Sequence, residues 1–176
     1  MCNLDVKPVA QRDPRWRDMM LGDQRFGPYG CLVTSLGMAI GELPSTFLPK
    51  LIAAGALGYV NCRACVNTFN LANVLPGFPR LANITSSYPN VPFPDVQISE
   101  TILAIKAGKP VVLEVDMNSN VPGEQMHFVL AVGVFGNGRI IINDPWYEDQ
   151  ALLVDRYGSN NGYAIVRAIT YERFIK

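Results

Sequence analysis

Residues 31–40 read CLVTSLGMAI, and apolar side chains fall on nearly every side of that stretch: Leu32, Val33, Leu36, Met38, Ala39 and Ile40. A helix with that pattern has no face to give to water, so the rest of the chain must fold around it as a buried, central element. Gly41 suits its C-terminal stop. Immediately before it stands the loop Gly27-Pro28-Tyr29-Gly30, which places the Cys31 thiol at a loop-to-helix junction. Packing is one reason for a cysteine there, since free cysteines are among the most buried residues. Nucleophilic catalysis is the other, and it requires partners elsewhere in the chain.

What surrounds the helix is sorted by type along the sequence. An extended piece, VKPVAQ, leads into the Asp-Pro turn of DPRW. A second helix is expected in PSTFLPKLIAAGALG, with Leu48, Leu51 and Ile52 sharing a face, and a third in ACVNTFNLANVL, ended by Pro76-Gly77. The proline-rich YPNVPFPD reads as a surface loop. ISETILAIKAG follows as a short helix with Ser99 as N-cap and Gly108 at its end. After that come five segments of strand composition: PVVLEVDM, HFVLAVGVF, RIIIND, ALLVDRY and GYAIVRAITY. Helices first and strands afterwards, without alternation or repeat, predict an α+β fold with a mostly antiparallel C-terminal sheet.

At 176 residues, 49% hydrophobic and 17% charged, the chain is expected to form one domain over residues 1–176 with a core of its own. Fifteen basic and fifteen acidic residues cancel, which removes the electrostatic footing for nucleic acid or an anionic membrane surface. The run LIAAGALGYV is broken by glycines and far short of the roughly 20 residues a membrane-spanning helix needs, so no membrane insertion is expected. The opening MCNLDVKPVAQRD carries charges and no apolar signal segment, which makes a cytoplasmic location the expectation, with virion association or secretion after processing still open.

Four cysteines, Cys2, Cys31, Cys62 and Cys65, allow two disulfides, but a core of this size does not need them. Cys62 and Cys65 form a C-x-x-C. A thioredoxin-like role wants that motif at a helix start after a strand, and zinc wants four ligands that only Cys2, Cys31 or the one histidine could complete. The reading preferred here is two packed thiols at a helix start, with neither metal nor organic cofactor.

The single histidine, His127, opens HFVLAVGVF, and Gly136-Asn137-Gly138 turns that strand back into RIIINDP as a hairpin. With Gly136-Asn137 as a two-residue loop, His127 lies opposite Trp146, and Asp144 is its diagonal neighbour on the same face, about 7–8 Å away by Cα. With Asn137-Gly138 as the loop, the face is kept but Asp144 moves two residues further off. A carboxylate can therefore reach the imidazole. Glu124, Glu148 and Asp149 flank the hairpin as alternative acids and read as solvated loop residues. Cys31 as nucleophile, His127 as base and then acid, and Asp144 orienting the imidazole make the set that covalent catalysis needs. The Cys31 backbone N–H and a side-chain amide upstream would serve a developing oxyanion.

The ordered set VAQRDPRW, LGD, GPYGCLVTSLGMAI, GKPVVLEV, HFVLAVGV and INDP resembles the peptidase C39-like family of the papain-like cysteine peptidases, from about Val6 to Pro145. The resemblance implies a papain-like fold, Cys31, His127 and Asp144 as catalytic residues, and Gln11 as the amide that completes the oxyanion hole. Trp16 and the Leu21-Gly22 pair match its structural positions and read as packing. The implied reaction is hydrolysis of a peptide or isopeptide bond in a peptide or protein substrate, through a thioester. Acyl transfer on the same triad, and a non-catalytic binding or virion module that keeps the fold, are the alternatives. Family members that remove double-glycine leaders are fused to transporters. This chain resembles more closely the stand-alone bacterial or phage-encoded relatives.

Overall fold

The computed structural model describes residues 1–59, 62–86, 92–118, 125–158 and 160–172. Tyr88–Val91 of the expected surface loop, and Glu124, lie outside them. In chain order the elements are β1 (Cys2–Asn3), β2 (Met20–Leu21), β3 (Gln24–Arg25), α1 (Phe26–Tyr29), α2 (Cys31–Ile40), α3 (Pro44–Ala53), β4 (Leu57–Tyr59), β5 (Cys62–Val66) and α4 (Leu71–Val74). There follow β6 (Leu81–Ser86), α5 (Asp95–Lys106), β7 (Val111–Asp116), β8 (Met126–Val134), β9 (Ile140–Asp144), β10 (Asp149–Leu152), α6 (Leu153–Tyr157), α7 (Asn161–Ala164) and β11 (Arg167–Tyr171).

The main sheet runs β10-β9-β8-β7-β11-β6, and every pairing in it is antiparallel. β1 takes the edge of β8 at Gly133 and Val134, beyond the Ala131 position where β7 stops. The central strands are buried on both faces. Phe128, Leu130, Val132, Val112 and Ile141 pack into one cluster with α2 and α3, while Val129, Ala131, Val111, Leu113 and Ile142 pack into a second with α5, α6 and α7. The result is a sheet between two helical layers, an α+β fold with N-terminal helices and a mostly antiparallel C-terminal sheet.

The buried central helix is where the sequence puts it. In α2 even Thr34 and Ser35 are fully buried, their hydroxyls satisfied by Gly30 O (2.8 Å) and Phe128 O (3.2 Å). Gly41 ends it at φ +77°, and its N–H returns to Met38 O (3.3 Å).

Elsewhere several expectations change. VKPVAQ belongs to no strand. Leu48 and Leu51 are buried in α3, but Ile52 is exposed, since a ten-residue helix on the flank needs only one apolar stripe. The helix expected over ACVNTFNLANVL is the end of strand β5 followed by the single turn α4: Cys62 and Val66 pair with β4, so tertiary pairing overrides the local helical pattern. α5 starts five residues earlier than expected, with Pro94 in the N-cap position, which leaves Ser99 inside it. ALLVDRY is strand only to Leu152; Leu153 and Tyr157 then bury one face of α6 at helical i, i+4 spacing. GYAIVRAITY splits between α7 and β11. β11 is sandwiched between β7 and β6, a strand for which no expectation was formed.

The C-x-x-C reading is also corrected. Cys62 and Cys65 form a disulfide with a Cα–Cα distance of 5.3 Å, inside β5 rather than at a helix start. Gly22, in the β2–β3 turn at φ +64°, lies so close to it that a Cβ there would stand 2.2 Å from Arg63 O. Only glycine fits that approach.

Candidate active site

Cys31 is the first residue of α2 and is 8% exposed. The N–H groups of a helix's first turn have no intrahelical partner, and the helix dipole favours negative charge there. What sets the thiol so close to the turn is Gly30. Its N–H donates to Phe26 O (2.6 Å), and a Cβ at that position would stand 2.4 Å from the Phe26 ring. Any larger residue would push the loop off Phe26 and move the helix start.

His127 is the second residue of β8, opposite Val115 of β7, and Asp144 is the last residue of β9. Both are buried, at 2% and 0% exposure. The hairpin that joins them has a three-residue loop, not two: Phe135 N donates to Arg139 O and Gly138 N to Phe135 O, with Gly138 at φ +83°. That slips the pairing by one residue. A β-bulge between Ala131 and Gly133 slips it back, so Leu130 faces Asn143, as the two-residue loop would have had it. Two departures cancel, and His127 and Asp144 share a face.

The His127 Nε2–H donates to Asp144 Oδ1 at 2.9 Å. An ionised carboxylate can only accept, so this bond fixes the proton on Nε2 and leaves Nδ1 as the nitrogen available to the Cys31 thiol, which also influences the ring's charge. Burial is the strongest single influence on the imidazole and opposes its charge. The bonds to Asp144 and Cys31 outweigh burial together and raise its pKa from 6.5 to about 9. Burial likewise pushes the Asp144 carboxyl up, but donors from His127, Tyr157 and Arg156 prevail and hold it at about 2.

Asp144 accepts more bonds than any reading of the sequence anticipated. Oδ1 also accepts from Trp146 N (3.0 Å), and Oδ2 accepts from Arg156 Nη1 (2.9 Å) and the Tyr157 hydroxyl. Arg156 divides itself between carboxylates, with both terminal nitrogens 2.8 Å from the oxygens of Asp149. Asp149 is thus the ion-pair partner of Arg156 at the start of β10, neither a free loop residue nor a rival for His127. Glu148 is exposed. Arg156 and Tyr157 were missed because their segment reads as strand. The i, i+4 spacing of Leu153 and Tyr157 was the available signal.

Gln11 is fully buried and is tied to the segment that leads into Cys31. Its backbone N–H donates to Pro145 O (2.8 Å), which ties it to the residue after Asp144, and its Nε2 donates to Gly27 O (2.8 Å) in α1, the turn just before Cys31. One N–H of that amide is left over, and Oε1 is a buried acceptor with no hydrogen-bond partner. Trp16, 1% exposed, donates its indole N–H to Ala10 O (2.8 Å) and packs as the sequence suggests, bracing the residue before Gln11. A cleft of about 780 Å³ opens beside this flank, with Arg12, Asp13, Gly27 and Trp146 in its wall. Among the described residues no group of three or more His, Cys, Asp or Glu side chains is placed to hold a metal ion, and no single helix is long and apolar enough to cross a membrane.

The Peptidase_C39 like family matches residues 3–173, nearly the whole chain. A solved structure provisionally described as a C39-like peptidase from Bacillus anthracis is 16% identical; the match covers 97% of this chain and 100% of that one, with a TM-score of 0.49. No curated protein matches.

Proposed function

Because the chain belongs to the Peptidase_C39 like family, we propose that it is a cysteine peptidase that cleaves a peptide or isopeptide bond with Cys31, His127 and Asp144. The observation that carries this reading is the buried relay at the end of α2. The ring of the only histidine donates to Asp144 through Nε2, and the Cys31 thiol is close enough to help raise its pKa.

Cys31 gives its proton to His127 Nδ1 and attacks the scissile carbonyl carbon as the thiolate. The negative charge that develops on the carbonyl oxygen is met by the Cys31 backbone N–H and the spare Nε2–H of Gln11. When the tetrahedral species collapses, the C–N bond breaks and the imidazolium hands its proton to the leaving amine. A thioester remains on Cys31. His127 then takes a proton from water, whose oxygen attacks the thioester, and collapse releases the acid and restores the thiol. Asp144 holds the imidazole in the Nε2–H form throughout and stabilises its charged state.

The test is cleavage of a peptide library by the wild-type protein and by Cys31→Ala, with capture of the acyl-enzyme by mass spectrometry after rapid acid quench. Cleavage with a thioester on Cys31 supports the reading. Amine incorporation in place of hydrolysis would convert it to acyl transfer, and no turnover with no thiol adduct would leave a binding module.

A further inference from the structure

We propose that Arg156 and Tyr157 are positioning residues that act on His127 through the far oxygen of Asp144, with Asp149 setting how much of the Arg156 charge reaches the site. The inference rests on the peptidase reading for its kinetic consequence, but not for its geometry.

An orienting carboxylate bonded to histidine through one oxygen can still rotate about its Cβ–Cγ bond and carry the imidazole with it. Here the second oxygen is held from two directions by neighbouring residues of α6: the guanidinium of Arg156 and the hydroxyl of Tyr157. The Tyr157 ring also lies 6.0 Å from the imidazole, centroid to centroid, and closes the space into which His127 could swing. Arg156 is itself fixed, by both oxygens of Asp149 and by stacking at 4.2 Å over the Tyr147 ring. One short helix therefore locks carboxylate, ring and counter-charge together.

The arrangement has an electrostatic sign as well as a shape. The groups around His127 are Cys31 from α2, Asp144 from β9, Arg156 and Tyr157 from α6, and Asp149 from β10. On β7 the residue opposite His127 is Val115; Glu114 and Asp116 on either side of it alternate to the other face, Glu114 toward Arg167 (3.0 Å). Among the described residues, Arg156 is the one cation bonded to Asp144 beside the imidazolium. It draws on the same negative charge, and so restrains the basicity of His127. Asp149 draws part of Arg156 away.

His127 is the only histidine, so its imidazole gives a single, unambiguous NMR titration in the intact protein. Arg156→Gln is expected to raise the midpoint by about half a unit or more and Asp149→Asn to lower it by a smaller amount, since a cation is removed in one case and unshielded in the other. Tyr157→Phe, which takes a donor from the carboxylate, is expected to shift it upward. Shifts of the same sign in Arg156→Gln and Asp149→Asn, or no shift in Asp149→Asn, would overturn the proposal. The Asp149 side chain is half exposed, so that variant decides the matter even if Arg156→Gln does not fold. A residue that only props the fold would change melting temperature and leave the midpoint alone. In turnover, Arg156→Gln should lower kcat with little change in KM. If the wild-type protein has no peptidase activity, the peptidase reading falls, while the titration still decides the roles of Arg156 and Tyr157.

Discussion

The two flanks of Cys31 are built on opposite plans. On the sheet flank, the Asp144 carboxylate is buried in a ring of four donors, and charge is balanced against charge out to Asp149. On the loop flank, Gln11 is just as buried but neutral, with one amide N–H bound to Gly27 O and its carbonyl oxygen without a partner. A saturated, charged cluster resists motion and reports its state through pH and stability. A buried amide with donor capacity to spare costs the fold stability, and is most useful when an acceptor arrives. On the proposed reading, Cys31 would be served by a fixed proton relay at Asp144 and by a waiting hydrogen-bond donor at Gln11.

Substitutions can break that contrast. The largest effect is expected where the flanks meet: Cys31→Ala should abolish turnover and thioester formation, with His127→Ala close behind, as measured by peptide cleavage and acyl-enzyme capture. Gln11→Ala should lower kcat by about 10²–10³, roughly 3–4 kcal/mol of transition-state stabilisation, and leave KM nearly unchanged. Its melting temperature should fall only by the equivalent of about 1 kcal/mol, for one neutral hydrogen bond. Wild-type kcat in Gln11→Ala would remove the loop flank from the chemistry.

Asp144→Asn should show the reverse balance. Some activity survives, because the bond-making groups remain, but urea or thermal unfolding should show a loss of about 2–3 kcal/mol as Arg156 loses one of its carboxylates inside the protein. A smaller stability loss than that of Gln11→Ala would mean that the charged ring is not what holds this flank.

The smallest effect is in pH dependence, with a sign that differs between the two partners. A carboxyl held down at about 2, against 3.8 unfolded, adds stability that is complete above pH 4 and lost as pH falls through 2. The contribution is about 2 kcal/mol. An imidazole raised to about 9, against 6.5 unfolded, adds stability that is complete below pH 6.5 and lost as pH rises through 9. Asp144→Asn should flatten the acid limb of a stability-against-pH curve, while Gln11→Ala leaves it unchanged. The kcat/KM profile should fall on its alkaline side near pH 9, as the imidazolium loses the proton meant for the leaving amine.

The parts of this picture that could be read in the sequence were those with a local cause. A stretch apolar all round can only be a central helix, and strands buried on both faces, such as HFVLAVGVF, announce themselves by composition. His127 and Asp144 were brought together by counting across a hairpin, although the count was right for a reason it did not contain: the three-residue loop and the bulge offset one another. What could not be read was set by tertiary contacts. Leu153 to Tyr157 looks like strand until the second helical layer needs covering. The strand made by Cys62 to Val66 exists because β4 pairs with it. Arg156 and Tyr157 reach Asp144 only because α6 begins where β10 leaves off; the i, i+4 spacing of Leu153 and Tyr157 hints at the helix but not at what its residues touch.

The Cys62–Cys65 disulfide has a practical consequence at the bench. Reductant is the usual protection for a nucleophilic thiol against sulfenic acid formation and mixed disulfides. In this protein the same reagent meets a second target, and that target lies against the backbone of Gly22, in the turn that leads through β3 and α1 to Cys31. A rate measured in strong dithiol therefore belongs to a protein with four free thiols, and a rate measured without it to one with two. Thiol counts under denaturing conditions should accompany each assay, so that a change in rate can be assigned to rescue of the nucleophile or to opening of the cross-link.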